Sequence, residues 1–426
     1  MVLPRRAYVL LLLLLPLSWA CTAPVEVSEP GRCEATAEEP MGLMLTWQQD
    51  PTTTMTIDWH TSVNDQARST LCFKKVGEEE WTHEVEAAES RFPFDGRPIF
   101  RTELTGLEPG TEYAFQVGEF GRRYTFRTMP ADIDESPLVF ATGGDTLAFR
   151  GMLENMNRTA LQYDPDFIAW GGDLAYADGR PDYLSQLRWQ WWFDSNLHTL
   201  VTDEGRVVPI LVAIGNHEVR GGYYRSHDDY EQTDLFRSGI APYFYSLFAF
   251  PGQPGYAALD FGQYLTLIAL DTDHTNPVAG SQTEWLRETL SERREQEVTH
   301  VLPFYHVPAY PSHRSYEGGT HSSIREHWVP LFEKYGVQVA LENHDHTYKR
   351  THPIRKGEID PDDGIVYMGD GAWGMITRTG DSQDEWYIDR FAAEQHGIIV
   401  TLRGDRQHYL VVRSDGTILD EYGEHP

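Results

Sequence analysis

The stretch Phe167-Ile168-Ala169-Trp170-Gly171-Gly172-Asp173-Leu174-Ala175-Tyr176 decides how the chain is read. Four apolar residues run straight into glycines and a carboxylate, the pattern of a buried strand ending in a loop that carries chemistry. The pattern recurs along the chain. The apolar run 138–142 leads to Gly144-Asp145, 207–214 to Gly215-Asn216-His217-Glu218, Val301-Leu302-Pro303-Phe304-Tyr305 to His306, and 337–341 to His344-Asp345-His346. Helical patterns lie between them at 152–163, 282–296 and 324–335. Strand, polar loop and helix in repetition predict a layered α/β domain over 137–421, with sites at the carboxyl ends of strands. Short strands at 398–402, 409–412 and 417–419 are expected to close a sheet edge.

Upstream, residues 41–130 change to short alternating stretches such as Met55-Thr56-Ile57-Asp58-Trp59 and Tyr113-Ala114-Phe115-Gln116-Val117, separated by turn residues. That spacing predicts a β-sandwich. Leu107-Glu108-Pro109-Gly110-Thr111-Glu112-Tyr113 resembles the fibronectin type III turn, where a Tyr hydroxyl bonds back to the backbone at a sandwich corner. Residues 21–40 lack apolar periodicity and read as an acidic tether. Residues 1–20 read as a signal peptide: Arg5-Arg6 precede an apolar run too short to span a bilayer, and Ser18-Trp19-Ala20 ends in small residues. The paired arginines also resemble a twin-arginine signal. Cys21 follows directly, so ordinary cleavage and lipid attachment at Cys21 both stay open. Of three cysteines, Cys33 and Cys72 are free to pair in an oxidising compartment, leaving Cys21 over.

The composition narrows the partners. Sixty-five Asp and Glu against 35 Lys and Arg give a formal net charge of −30, which opposes nucleic acid and anionic membrane faces. A membrane association is expected only through a lipid on Cys21, and the oligomeric state is left open. Forty per cent hydrophobic residues, with 12 Trp and 22 Tyr, exclude a disordered chain. The run Trp189, Trp191, Trp192, Phe193 is spaced for buried helix packing rather than for a carbohydrate platform. Asn157-Arg158-Thr159 has the spacing of a glycosylation acceptor.

The five strand-end motifs together supply carboxylates, a carboxamide oxygen and imidazoles, the donors that a pair of hard or borderline cations sharing one carboxylate requires. On these motifs the chain resembles the metallophosphoesterase superfamily, and within it the purple acid phosphatases with a fibronectin-like N-terminal domain. Most of that superfamily has Asp-x-His in the first motif. Here Leu147 stands where that His would be, while Tyr176, three residues after Asp173, matches the purple phosphatase pattern in which a phenolate replaces the missing ligand. The resemblance implies an α/β/β/α catalytic domain behind a β-sandwich. It implies Fe(3+) on Asp145, Asp173, Tyr176 and His346, and Fe(2+), Zn(2+) or Mn(2+) on bridging Asp173, Asn216, His306 and His344. His217 would face the phosphate, and His313 lies near where the family places further substrate-facing histidines. Two departures stand out: Asn343 where the family has Gly, expected to tolerate a left-handed backbone, and Thr146-Leu147 beside Asp145.

The implied activity is acid phosphatase chemistry on phosphate monoesters, with metal hydroxide attacking phosphorus. A small phosphate ester fits despite the net charge, because bound cations outweigh distant surface carboxylates. A phosphodiesterase acting on nucleotides or lipid head groups would carry the same motifs, its specificity set in loops 220–239 and 310–321. A non-catalytic surface protein with a decayed site is the alternative of another class.

Overall fold

The computed structural model describes residues 40–62, 69–117, 122–221, 233–379 and 384–425. The signal peptide, nearly all of the tether, Cys21, Cys33 and most of loop 220–239 lie outside the described residues. Cys72 is disulfide-bonded.

Eight strands build the N-terminal part: β1 Met41–Thr46, β2 Met55–His60, β3 Thr70–Lys75, β4 His83–Glu86, β5 Ala88–Arg91, β6 Pro98–Leu104, β7 Glu112–Val117 and β8 Tyr124–Arg127. They form two four-stranded sheets, β1-β2-β6-β5 and β4-β3-β7-β8. Every other residue points inward, so Leu43, Ile57 and Trp59 meet Phe115 and Phe126 in one core. At the expected corner the Glu108 backbone N–H donates to the Tyr113 hydroxyl at 2.9 Å.

The second part begins with β9 Leu138–Gly143, α1 Arg150–Leu161, β10 Phe167–Trp170, α2 Tyr183–Thr199, β11 Ile210–Val212, α3 Asp234–Ile240 and α4 Pro242–Leu247. It continues through β12 Ala257–Phe261, β13 Leu265–Leu270, α5 Ser281–Glu295, β14 His300–Tyr305, α6 Gly319–His327, α7 Val329–Tyr335, β15 Val339–Glu342 and β16 Tyr348–Thr351. A small hairpin, β17 Ile354–Arg355 with β18 Glu358–Ile359, precedes β19 Val366–Gly369, β20 Ile388–Ala392, β21 His396–Arg403, β22 Arg406–Arg413 and β23 Ile418–Gly423.

Two sheets result, ordered β11-β10-β9-β21-β22-β23 and β12-β13-β14-β15-β19-β16-β20. The period-two alternation decides the layering. In β10, Phe167 and Ala169 face the other sheet while Ile168 and Trp170 face the helices; in β13, Leu267 faces the first sheet and Ile268 the second set of helices. The architecture is therefore α/β/β/α behind a β-sandwich. The two parts share one apolar core: Trp47 packs edge-on against Phe167 and Phe261, with centroids 5.8 and 6.0 Å away. Val207 N–H also donates to the Thr125 carbonyl at 2.9 Å.

Several local expectations change. The helical segment 324–335 is two helices, α6 and α7, because Pro330 lacks an N–H and its ring clashes with the preceding turn. The run 207–214 forms a ladder only over Ile210–Val212, since Pro209 cannot donate to it. Asn157 is fully buried, its amide donating to Asn196 and Thr199 at 2.9 and 2.8 Å, so the glycosylation triplet is closed off in the fold. Trp189, Trp192 and Phe193 are buried as the spacing predicts, with Trp192 edge-on to Trp170 at 5.6 Å. Strand β23 closes the sheet edge.

Candidate metal centre

The loops after β9, β10, β11, β14 and β15 converge at one end of the two sheets, because these strands run parallel to their neighbours. The backbone there is unusual. Asp145, Asp173, Tyr176, His344 and His346 all have left-handed φ, between 53° and 84°. Such conformations are disfavoured for residues with a Cβ and persist where the surroundings enforce them, typically at functional sites. Here they turn five side chains inward.

The side chains form two adjoining groups. Tyr176 Oη lies 2.7 Å from Asp145 Oδ1 and 3.1 Å from His346 Nε2, which is itself 2.9 Å from Asp145 Oδ1. His306 Nε2 lies 2.9 Å from His344 Nδ1, 3.1 Å from Asn216 Oδ1 and 3.2 Å from Asp173 Oδ2. Both carboxylates are buried, and among the described residues neither forms a salt bridge with Lys or Arg. Buried carboxylates without such partners, crowded with converging imidazoles, an amide oxygen and a phenol, make a donor set that fits two cations. The seven residues read as ligands from the sequence are all brought together.

Electrostatics follow from this crowding. Burial is the strongest single influence on His306 and disfavours its charged form, yet the Asp173 carboxylate, Asp145 and the Gly171 carbonyl together outweigh it and lift the imidazole to about 9. Burial likewise works against Asp173, but His306 and His217 hold it below its usual range. Burial and the neighbouring Asp145 keep the Tyr176 phenol protonated well above its ordinary range, so a cation taken up there releases a proton.

The chain matches two family profiles in succession: the purple acid phosphatase N-terminal domain over residues 40–128 and the calcineurin-like phosphoesterase over 144–348. The chain belongs to the purple acid phosphatase-like metallophosphoesterases. Purple acid phosphatase 18 of Arabidopsis thaliana is 26% identical over 310 residues, covering 70% of this chain and 64% of the relative. An uncharacterized protein of Mycobacterium tuberculosis is 28% identical over 346 residues, 74% of this chain and 62% of the relative. The chain thus spans under two thirds of the length of these relatives. A yellow lupin purple acid phosphatase structure superposes with a TM-score of 0.73 at 18% identity, over 90% of this chain and 74% of that one, and so has the same fold.

In this metallophosphoesterase, the remaining site residues take distinct places. His217 stacks on Tyr176 with ring centroids 4.2 Å apart, and its Nδ1 lies 2.6 Å from Asp178 Oδ1. Burial lowers its affinity for a proton, but Asp173 and Asp178 reverse the balance and raise it. His313 is placed differently: its ring meets the Thr379 carbonyl at 3.0 Å, and its backbone N–H is tied to Asp345 at 2.8 Å. Leu147 is buried in the helix-side core, away from any ligand role. Asn343 is not left-handed; that conformation falls on His344 and His346 instead. Its amide donates to the Tyr305 carbonyl at 2.9 Å and fills the space that side chains at Gly144 and Gly171 would need.

Sequence reasoning did not single out the supports. The Glu218 carboxylate accepts from the backbone N–H groups of Asp173, Leu174 and Gly215 at 2.8, 2.8 and 2.9 Å, clamping two ligand loops together. Its burial and the nearby Asp173 charge lift it to about 7. Below the β15 loop, buried Lys349 donates to Glu342 at 2.5 Å and to Asp370 at 3.1 Å. Asp178 and Glu218 sit inside or beside the quoted motifs, a signal that was available; Lys349 and Asp370 carry none.

Proposed function

We propose that this chain is an exported binuclear phosphatase hydrolysing small phosphate monoesters. The observation that carries the reading is the pair of adjoining donor groups, Asp145, Tyr176 and His346 beside Asp173, Asn216, His306 and His344, and Asp173 is proposed as the carboxylate shared between them. Asp145, Asp173, Tyr176 and His346 would hold Fe(3+), for which a phenolate is a suitable hard anionic ligand. Asp173, Asn216, His306 and His344 would hold Fe(2+), Zn(2+) or Mn(2+). A relative from Arabidopsis thaliana, 24% identical over 72% of this chain, is named a Fe(3+)-Zn(2+) purple acid phosphatase, which favours that pair.

When bound, the cations supply Lewis-acid neutralisation of phosphoryl charge and lower the pKa of water. The protein's own groups do the rest. The Gly171 carbonyl, 2.9 Å from His306 Nδ1, aims the other ring nitrogen into the cluster. His217 N–H, 2.8 Å from Asp173 Oδ1, fixes the bridging carboxylate. Asp178 orients the His217 ring, which holds its proton more firmly than a free imidazole and gives it to the departing alkoxide. His313 is proposed as a loop residue that meets substrate only at the rim.

Export is supported by the charged and apolar pattern of residues 1–20 and by the disulfide at Cys72, which suits an oxidising compartment. No described helix is long and apolar enough to cross a membrane. A small phosphate ester, rather than nucleic acid, is the proposed partner, with membrane association only through lipid on Cys21.

Turnover of p-nitrophenyl phosphate against bis(p-nitrophenyl) phosphate tests the substrate class: faster diester cleavage overturns the monoesterase reading. Asp173→Ala is expected to lose both metals and turnover together. Full activity in that variant overturns the bridging role.

A further inference from the structure

The last strand carries a second cluster that the phosphatase reading does not use. In the β22–β23 pairing His408 lies opposite Gly423. Side chains alternate along a strand, so Glu421 and His425, two residues to either side of Gly423, flank His408 on the same face. Gly423 keeps the middle clear. A Cβ there would sit 2.2 Å from the Gln407 carbonyl, and its φ is +90°, a conformation side chains rarely adopt.

The result is convergent. His408 Nε2 and His425 Nε2 each lie 2.8 Å from the same oxygen, Glu421 Oε1, and the two rings stack with centroids 4.0 Å apart at 25°. The potential ligand atoms all lie within 4.8 Å of one another. His408 is buried and fixed, with its side chain 5% exposed, while Glu421 at 47% and His425 at 77% are free to adjust. Tetrahedral Zn2+ with ligands at about 2.0–2.1 Å needs its donors roughly 3.3 Å apart, so each imidazole–carboxylate separation of 2.8 Å would open by about half an ångström while the exposed His425 ring turns out of the stack to aim its nitrogen at the ion.

The geometry points to a second metal site at His408, Glu421 and His425, one that takes a borderline cation of the Zn2+ or Cu2+ class and ties the end of β23 to β22. Two imidazoles and one carboxylate select such ions over Ca2+ or Mg2+, which prefer oxygen-only shells. Water completes the coordination at the open side. The site is separate from the catalytic cluster. Through the β21 ladder His408 aligns with Thr401 and then with Val139, near the start of β9, whereas Asp145 follows the far end of that strand. At 3.3 Å per residue that is roughly 20 Å along the sheet, and the strand spacing adds about 10–14 Å across it. A cation here would staple the exposed edge strand, the part of a sheet most prone to fray or pair with another chain.

The test uses the full-length holoenzyme and its His425→Ala variant, an exposed position whose loss leaves the fold and the catalytic ligands untouched. Both are dialysed against Zn2+ and analysed for metal; both are also titrated with Cu2+ and examined by electron paramagnetic resonance. The wild type is expected to hold one more Zn2+ per chain than the variant, with equal phosphatase activity, and to give a Cu2+ spectrum split by two nitrogens that the variant lacks. Zn2+ should also raise the melting temperature of the wild type alone. Equal metal content and identical Cu2+ spectra in the two proteins would mean a hydrogen-bonded clasp without a cation, and would overturn the site.

Discussion

Tyr176 carries more of the interpretation than any other side chain, because it does two things at once. Its hydroxyl sits between Asp145 and His346, and its ring supports His217. Tyr176→Phe keeps the ring and removes the hydroxyl, so the stacking on His217 survives while the proposed phenolate ligand is lost. The expected outcome is loss of the visible phenolate-to-iron absorption band and of iron, checked by a spectrum and elemental analysis of protein purified without added metal. His217→Ala separates the other role. It is expected to lower kcat by roughly 10²- to 10³-fold with metal content unchanged, the signature of a proton donor and not of a ligand.

Between the strands and the helices, the site depends on tight loops that leave no room for side chains. Gly215 ends the β11 segment and faces Asp173: a Cβ there would lie 2.3 Å from Asp173 Oδ1 and 2.4 Å from its backbone nitrogen. Gly215→Ala must therefore push the Asp173 carboxylate out of place while leaving the apolar strands packed. The expected result is a folded protein, with unchanged circular dichroism, that retains little metal and turns over slowly. Retention of both metals would show that the β10 loop can yield. The same reasoning explains Glu218, whose carboxylate satisfies three backbone donors in loops that otherwise lack ladder partners.

Across the whole molecule, stability is linked to pH through histidines buried in neutral form. Burial pushes His396 from 6.5 down to about 4, outweighing the Glu394 carbonyl that raises it. Between those values the unfolded chain binds a proton that the folded ring refuses. The contribution is thus complete above pH 6.5 and drains away as the pH falls toward 4. By about pH 5 the loss from this one group reaches about 2 kcal/mol. His60 and His300 are lowered in the same direction, chiefly by burial. His396→Phe should shrink the stability difference between neutral and acid solution by about that amount, measured by urea unfolding at both pH values. An unchanged difference would place the acid sensitivity elsewhere.

Much of this protein was legible in residue order. Apolar runs ending in Asp, Asn or His mark where strands stop and chemistry starts, since a strand needs continuous apolar faces and a ligand needs a polar loop. Leu147 and Tyr176, read together, carry the family resemblance that implies a phenol in place of the missing imidazole, and the fold brings Tyr176 to Asp145 and His346. Helix boundaries near Pro330 and the strand start near Pro209 were less legible, because a single missing N–H outweighs a run of favourable neighbours. The tertiary structure alone decided the rest. Asn343 fills space left by Gly144 and Gly171, Lys349 meets Glu342 and Asp370, and His408 meets Glu421 and His425 across a ladder. Local pattern records which face of an element is apolar; it does not record which distant side chain fills the space opposite, and that pairing is set only when the sheets close on one another.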